Sequence, residues 1–178
     1  MAESRISPLQ TDPWWMEATP YLGRSMSQDE IDAFASYEQL LLEWNQKFNL
    51  TSIKDPSEVR IKHFLDSLSA IPLLGDLNGL HLVDIGTGAG FPGIALKIVF
   101  PQMHLTLVDS VAKKLKFCDA VIQALDLKEC ETIHNRAESL ALLPAHREKF
   151  DVAAARAVAR LPILSEYLLP LVKVGGRM

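Results

Sequence analysis

The stretch His81-Leu82-Val83-Asp84-Ile85-Gly86-Thr87-Gly88-Ala89-Gly90-Phe91-Pro92-Gly93 is the most informative part of this sequence. The residues before the first glycine are largely apolar, as in a buried strand, and Pro92 is well placed to begin a helix. The glycines between them let the chain turn sharply and let a ligand approach the backbone. The stretch therefore predicts a strand, a tight turn and a helix, the unit with which parallel sheets bind ligands.

From residue 80 onward, short apolar runs alternate with longer helical patterns, which is typical of an α/β protein with a parallel, Rossmann-like sheet. We predict strands near 80–85, 104–109, 129–134 and 150–155, and helices near 92–99, 112–125, 138–143 and 160–173. Gly175-Gly176 is interpreted as a turn after the last helix. The sheet is therefore expected to stop at its fourth strand, which would be an unpaired edge.

Residues 1–75 precede this alternation and are expected to form an extension that is largely helical from residue 27. Ser27-Gln28-Asp29-Glu30 has the form of a capping box, and Asp55-Pro56-Ser57-Glu58 places proline at the first position of a second helix. That helix is expected to end at Pro72 and Gly75. An irregular but ordered leader is predicted for residues 1–26, which contain Pro8, Pro13, Pro20, Trp14 and Trp15. The extension and the core, residues 76–178, are expected to pack as one domain.

The composition is that of an ordinary globular protein: 178 residues, 48% hydrophobic and 22% charged, with a net charge of −4. No apolar run approaches the roughly 20 residues that span a bilayer, and no signal peptide is indicated, so we expect a cytoplasmic protein without a membrane partner. Cys118, Cys130 and the five histidines lack metal-ligand spacing, so we expect neither a metal site nor a disulfide framework. The net charge argues against nonspecific coating of nucleic acid.

Two ligands fit the glycine-rich turn. Gly88-x-Gly90-x-x-Gly93 matches the dinucleotide fingerprint, and Asp109 ends the next predicted strand, where a ribose-binding acid is expected. Asp84, however, would repel a pyrophosphate and attract the sulfonium and ammonium groups of S-adenosylmethionine. Asp109 suits either ligand, because both contain a ribose with two hydroxyls. The residues favour S-adenosylmethionine and leave open a nicotinamide dinucleotide, or a turn that binds nothing.

Four segments, taken in order, resemble the bacterial RsmG family, formerly called GidB: Asp84 to Gly93, Val108-Asp109-Ser110 with Lys113-Lys114, Arg136-Ala137-Glu138, and Ala155-Arg156-Ala157-Val158-Ala159. The similarity extends to Trp44-Asn45-x-x-Phe48-Asn49-Leu50-Thr51 and covers roughly residues 35–176. It implies a class I S-adenosylmethionine-dependent methyltransferase that modifies N7 of a guanine in small-subunit (16S) ribosomal RNA. Chains of that family continue beyond Gly-Gly-Arg, so the C-terminal strands of the fold are expected to be missing here.

The resemblance also implies roles for individual residues. Gly86 and Phe91 would contact the cofactor, Asp109 and Ser110 would hold its ribose, and Ala137 and Glu138 would flank its adenine. Arg156 would lie at the mouth of the site, against the cofactor or the RNA. The predicted cofactor-binding residues are Asp84, Gly86, Gly88, Phe91, Asp109, Ser110, Ala137, Glu138 and Arg156. Phe91 and Arg156 are in addition candidate platforms for an unstacked base.

Each charged residue of this set also has a purely structural explanation. Asp84 can anchor the turn, Asp109 or Glu138 can cap a helix, and Arg156 can pair with a surface acid. Three lysines, Lys113, Lys114 and Lys116, are expected on a solvated helix face, with contact to RNA phosphate as the alternative.

Guanine N7 carries a free lone pair, so methylation there needs alignment of the reactants and no general base. We therefore assign no catalytic residue. The expected partner is small-subunit ribosomal RNA or a ribosomal subunit, and the chain is expected to be a monomer. Two alternatives remain: an NAD-dependent oxidoreductase, which lacks support from a Tyr-x-x-x-Lys proton donor, and a non-catalytic RNA- or ribosome-binding protein on a truncated methyltransferase fold.

Overall fold

The computed structural model describes residues 13–178, which contain one five-stranded parallel sheet. Its strands are β1 (His81–Ile85), β2 (His104–Asp109), β3 (Cys130–His134), β4 (Phe150–Ala154) and β5 (Val172–Arg177). They lie in the order β3-β2-β1-β4-β5, and each neighbouring pair is parallel. The first four strands lie within one residue of their predicted ends. The predicted α/β class with a Rossmann-like parallel sheet is confirmed.

The helices before the sheet are α1 (Trp14–Glu17), α2 (Thr19–Leu22), α3 (Gln28–Asn45), α4 (Pro56–Val59), a π-helical segment (Arg60–Leu65), α5 (Asp66–Leu68) and α6 (Ile71–Leu74). Those between the strands are α7 (Gly93–Val99), α8 (Ala112–Ala124), α9 (Ala137–Ala141) and α10 (Leu161–Leu168), the last followed by a 3₁₀ turn (Leu169–Leu171).

Both predicted helix starts in the N-terminal region are confirmed. Ser27 and Glu30 form the reciprocal hydrogen bonds of a capping box at α3. Asp55 accepts hydrogen bonds from the backbone N–H groups of Ser57 and Glu58, at 3.0 and 3.1 Å, and so begins α4. The predicted role of Pro72 is wrong: the helix ends at Leu68, and Pro72 lies in the first turn of α6, where proline is tolerated.

Helices cover both faces of the sheet. Alternate residues of a strand point to opposite faces, and along β1 Leu82 packs in a core cluster with residues of α3, α7 and α8. Val83 and Ile85 instead pack in a second cluster with residues of α9 and α10. The sheet is therefore a central layer, and the carboxyl ends of its strands open along one edge between the two helical layers.

The N-terminal helices pack directly on the first of these clusters. Trp14 is 1% exposed, and its ring lies 5.3 Å from that of Phe34 and 5.6 Å from that of Phe64, measured between ring centroids. Within the predicted leader, Trp14 lies in α1 and Pro20 in α2, so this part is helical rather than irregular. The remainder of that prediction, residues 1–12 with Pro8, falls outside the described residues.

The C-terminal part differs from the prediction, because β5 pairs with β4 and the fourth strand is not an edge. Gly175 and Gly176 are part of β5 and do not form a turn after a helix. Gly175 has a φ of +84°, and the pairing shifts register between Phe150 and Val152. Glycine is uncommon inside strands, so two adjacent glycines did not predict one here. They lie where the pairing of β5 with β4 shifts register, and this pairing is visible only in the structure.

Across residues 13–178, no helix combines the length and the apolar character needed to cross a membrane. In the same range, His, Cys, Asp and Glu side chains form no cluster of three or more that could hold a metal ion.

Candidate ligand-binding pocket at the carboxyl ends of the strands

The glycine-rich turn leaves the end of β1 with three glycines in the left-handed region. Gly86, Gly88 and Gly90 have φ values of +67°, +60° and +90°. A side chain at Gly90 would lie 2.7 Å from the hydroxyl of Tyr37, so the turn also packs too closely on α3 to admit one. All three positions need glycine for conformation, and Gly86 and Gly90 need it for space as well, which explains why the sequence concentrates it here.

Asp109, the last residue of β2, ties the turn to the neighbouring strand. Its Oδ2 accepts a hydrogen bond from the backbone N–H of Gly88 at 2.9 Å, and its Oδ1 accepts one from Val111 N–H at 2.8 Å. Lys114 Nζ lies 3.8 Å from Oδ2. The helix cap considered for Asp109 is not formed, because α8 has no side-chain cap; Asp109 instead binds the glycine turn and the residue just before the helix. Each carboxylate oxygen can still accept a further hydrogen bond from a ligand.

A pocket of about 190 Å³ opens where β1 and β2 end, with the start of α9 on one side. Five of the predicted cofactor-binding residues line it: Gly86, Asp109, Ser110, Ala137 and Glu138. These residues come from three separate segments of the chain, which meet here because the carboxyl ends of adjacent parallel strands lie at the same edge of the sheet.

Asp84 is placed differently from the prediction. It is fully buried beneath the turn, where its Oδ2 accepts hydrogen bonds from Thr87 Oγ1 at 2.7 Å and from Gly93 N–H at 2.9 Å. Its Oδ1 has no partner within residues 13–178, and burial raises the pKa of the carboxyl to about 7. Asp84 does not line the pocket, and its preference for a sulfonium over a pyrophosphate stays a prediction. In this structure it anchors the turn.

Phe91 and Gly88 also lie outside the pocket lining. Phe91 is 4% exposed, with its ring stacked on His63 at a centroid distance of 4.6 Å and on Tyr37 at 5.2 Å. Neighbouring rings cover much of the Phe91 ring in this structure, and its role as a stacking platform for a base stays a prediction. Contact of Phe91 with the cofactor stays a prediction.

Arg156 follows β4 and turns toward the N-terminal helices. Its Nη1 donates to Asp66 Oδ2 at 2.6 Å and to the carbonyl of Lys62 at 3.0 Å, and its Nη2 lies 2.8 Å from His63 Nδ1. Its guanidinium carbon is 5.2 Å from the centroid of the Phe91 ring. The expected position at the end of the fourth strand is correct, but the side chain is engaged by the π-helical segment and α5 and does not line the pocket.

Sequence reasoning missed several residues that line the pocket. Asn135 and Arg136 adjoin the predicted Ala137, and Val158 belongs to the segment that carries Arg156, so their neighbourhood could have suggested them. Tyr167 on α10 had no such signal. Interaction with the side chain of Glu138 raises the pKa of Tyr167 above its ordinary value. Both residues line the pocket, and α9 has no side-chain cap at its N-terminus.

The three lysines of α8 differ in their surroundings, and contact with RNA phosphate stays a prediction. Lys113 lies over the ring of Phe48, 5.6 Å from its centroid, and Lys114 is near Asp109. Lys113 and Lys116 are exposed, as a solvated helix face requires. Cys118 is fully buried below the turn, with its thiol 3.6 Å from the carbonyl of Gly88, whereas Cys130 is partly buried; neither forms a disulfide.

Comparison with known proteins gives matches over most of the chain. Residues 30–178 match the family model of rRNA small subunit methyltransferase G (GidB). The chain is 52% identical over 161 residues to the ribosomal RNA small subunit methyltransferase G of Acetivibrio thermocellus, covering 90% of this chain and 66% of that one. It is 52% identical over 155 residues to the protein of the same name from Desulfitobacterium hafniense, covering 87% and 64%. The chain thus spans slightly less than two thirds of these curated relatives.

Two solved structures share the fold. A SAM-dependent methyltransferase from Aquifex aeolicus superposes with a TM-score of 0.51 at 21% identity, over 70% of this chain and 66% of that one. A Methanococcus maripaludis protein described as a candidate S-adenosyl-L-methionine-dependent methyltransferase gives 0.57 at 14% identity, over 78% and 59%. At such identities the likeness concerns the fold alone.

Proposed function

Because this chain belongs to the rRNA small subunit methyltransferase G (GidB) family, we propose that it transfers a methyl group from S-adenosylmethionine to N7 of a guanine in small-subunit (16S) ribosomal RNA. The proposed substrate is the RNA itself or the ribosomal subunit that contains it, which places the activity in the bacterial cytoplasm. We propose that the chain acts as a monomer.

The pocket at the ends of β1 and β2 is the observation that carries this proposal. Gly86 presents bare backbone to it, and Asp109 and Glu138 contribute carboxylates that can accept hydrogen bonds from hydroxyl or amino groups. S-adenosylmethionine has such groups on its ribose and adenine. The residues present therefore fit this cofactor, with Asp109 and Ser110 at the ribose and Ala137 and Glu138 at the adenine.

The chemistry asks little of the protein beyond position. Bound S-adenosylmethionine would supply an electrophilic methyl group to the existing lone pair of guanine N7, with the methyl–sulfur bond breaking and S-adenosylhomocysteine as the leaving group. No proton has to be removed from N7, so no side chain has to serve as a base. The work of the chain is to hold both reactants in line and to exclude water. The buried turn, fixed by Asp84 from below and by Asp109 from the side, provides a rigid base for that alignment.

Calorimetric titration of the 178-residue chain with S-adenosylhomocysteine, beside NADH, tests the cofactor part of the proposal. We expect saturable binding of S-adenosylhomocysteine alone. Binding of NADH in its place would support the oxidoreductase alternative and overturn the proposal.

The substrate part is tested by transfer of a labelled methyl group to small-subunit RNA, either naked or within the subunit, followed by mapping of 7-methylguanine. We expect label in one guanine of the RNA. Binding of S-adenosylhomocysteine without transfer to either form of the RNA would favour a non-catalytic RNA-binding protein.

A further inference from the structure

His63 lies between the N-terminal helices and the pocket. It belongs to the π-helical segment, is half-buried, and stacks on Phe91 with an interplanar angle of 13°. Its Nδ1 is 2.8 Å from Arg156 Nη2, and its Nε2 is 2.9 Å from Thr51 Oγ1. Both ring nitrogens and one ring face are therefore engaged, although no spacing pattern in the sequence assigns this histidine a role.

The partners of His63 determine its protonation. A guanidinium can only donate, so Nδ1 must accept the hydrogen bond from Arg156 and cannot carry a proton. The proton of the neutral ring is then on Nε2, which donates to the hydroxyl of Thr51. Burial and the charge of Arg156 lower the pKa of His63 to about 4, against the opposing effect of Asp66. The ring is thus a neutral acceptor at physiological pH.

Arg156 is held on several sides by the same region of the chain. Besides His63, Asp66 and the carbonyl of Lys62 accept hydrogen bonds from it, and Phe91 lies beneath its guanidinium. Lys62 itself pairs with Glu58, 2.5 Å away on the exposed face. The charged groups around the imidazole are therefore Arg156 and Asp66. His63 Nδ1 is the third hydrogen-bond acceptor of the guanidinium, beside Asp66 and the carbonyl of Lys62.

The loop that begins with Arg156 forms one wall of the pocket. Ala157 has a φ of +57°, a left-handed conformation that is unfavourable for a residue other than glycine. Val158 follows, and its Cγ2 lies 2.6 Å from where a Cβ on Gly86 would be. The pocket, at about 190 Å³, is smaller than the roughly 300–1,000 Å³ usual for ligand sites. The position of this loop therefore decides how much of a ligand the pocket can enclose.

We propose that His63 is a positioning residue for the pocket: by accepting a hydrogen bond from Arg156, it fixes the loop 155–160 and thereby the Val158 wall opposite Gly86. The cofactor-binding part of this inference rests on the proposed function, whereas the contact between His63 and the loop does not. His63 touches neither cofactor nor RNA in this role and acts through Arg156.

The loop can be tested without any ligand by limited trypsin digestion, because trypsin cleaves after Arg156. The variant His63→Phe keeps an aromatic ring against Phe91 and removes the acceptor. The variant His63→Asn removes the ring and keeps an acceptor at the position of Nδ1. Cleavage at Arg156-Ala157 is measured relative to cleavage after the exposed Lys128 in the same digest.

We expect His63→Phe to raise this cleavage ratio about 10-fold, the effect of losing one hydrogen bond to a charged group, and His63→Asn to remain within about 2-fold of the original chain. Equal ratios in all three proteins, or an equal rise in both variants, would overturn the inference. Circular dichroism checks that both variants fold. Nitrogen NMR shifts of His63 in the unaltered chain give a test independent of folding: a proton on Nδ1 would overturn the inference.

The second test of the inference measures the dissociation constant for S-adenosylhomocysteine. We expect His63→Phe to raise it about 10-fold, because the wall must be ordered on binding, and His63→Asn to raise it about 2-fold or less. His81→Asn, at the amino end of β1 and so at the far end of the strand from the pocket, is the matched control and should leave the dissociation constant unchanged. An unchanged or lower value for His63→Phe overturns the inference. Absence of binding by the original chain would contradict the proposed cofactor, while the digestion still decides the role of His63.

Discussion

The carboxylate of Asp109 and the backbone N–H of Gly88 form a hydrogen bond of 2.9 Å that joins the end of β2 to the turn after β1. Asp109 is 4% exposed and yet lines the pocket, so one side chain both shapes the turn and borders the pocket. Under the proposed function, such a residue ties cofactor affinity to the conformation of the glycine turn, because any change to it affects both.

Replacing Asp109 with alanine should weaken binding of S-adenosylhomocysteine by roughly 1–3 kcal/mol, through loss of hydrogen bonds to a charged acceptor. Calorimetry measures this, with the exposed Asp32→Ala on α3 as the control. Unfolding in urea should also occur at lower denaturant concentration, since Gly88 and Val111 lose their acceptor. An unchanged affinity in a folded variant would exclude Asp109 from the ribose site.

Gly86 and Gly88 allow a matched comparison, because both have positive φ values but different surroundings. A Cβ on Gly86 would lie 2.6 Å from Val158, whereas a Cβ on Gly88 would meet nothing closer than 3.9 Å. Alanine at either position should cost about 1–2 kcal/mol for the left-handed backbone. Gly86→Ala should cost about 1–3 kcal/mol more, because Val158 has to move.

Urea unfolding of the two variants measures that difference. Adding Val158→Ala to Gly86→Ala should recover most of the extra loss, since the smaller side chain leaves room for the new methyl group. Equal stability of Gly86→Ala and Gly88→Ala would show that Val158 does not press on the turn.

Much of this architecture was predictable from local signals. The strands β1, β2 and β4 were, because buried parallel strands are apolar runs, whereas the edge strand β3 followed from its place in the alternation of strands and helices. Ser27 and Asp55 marked helix starts through their own hydrogen bonds. The residues at the strand ends, such as Gly86 and Asp109, followed from the rule that ligands bind there.

What failed to be predicted depends on contacts between distant segments. The burial of Asp84 under the turn follows from how α7 packs, and β5 is a strand only because β4 pairs with it. The contact between His63 and Arg156 spans 93 positions of the chain, and no spacing rule connects them. Tyr167 reaches the pocket through the packing of α10 for the same reason.

Asp84 should make stability depend on pH in an unusual direction. Burial raises the pKa of its carboxyl from 3.8 to about 7, so between these values the folded chain holds a proton that the unfolded chain releases. The contribution of this protonated carboxyl to the free energy of unfolding is fully present below about pH 4 and is lost as pH rises through 7. Asp84→Asn keeps an acceptor for Thr87 and Gly93 and removes the titration.

The free energy of unfolding of Asp84→Asn minus that of the unaltered chain should therefore increase between about pH 4 and pH 7, by up to about 4 kcal/mol at about 1.4 kcal/mol per pKa unit. Urea titrations at several pH values measure it. His63, whose lowered pKa makes stability rise with pH in part of this range, is present in both proteins and cancels in the difference. A difference that does not vary with pH would mean that Asp84 is ionised throughout.

Tyr37 connects α3 to the glycine turn and provides the test of whether the N-terminal helices support the pocket. Its hydroxyl donates to the carbonyl of Ala89 at 2.5 Å from a fully buried position. Tyr37→Phe leaves that carbonyl without this donor and should lower the free energy of unfolding by about 1–3 kcal/mol. The half-buried Tyr21→Phe, whose hydroxyl makes no hydrogen bond within residues 13–178, should change it little.

Hydrogen exchange locates the effect of Tyr37→Phe. The amides of Gly90 and Phe91 both donate to the carbonyl of Thr87, at 2.9 and 3.0 Å, and close the turn beside Ala89. Loss of the tyrosine hydroxyl should speed exchange at these two amides more than at the amides of β1, because the turn opens locally while the sheet stays intact. Equal acceleration in the turn and in β1 would mean that Tyr37 stabilises the whole fold and has no particular effect on the turn.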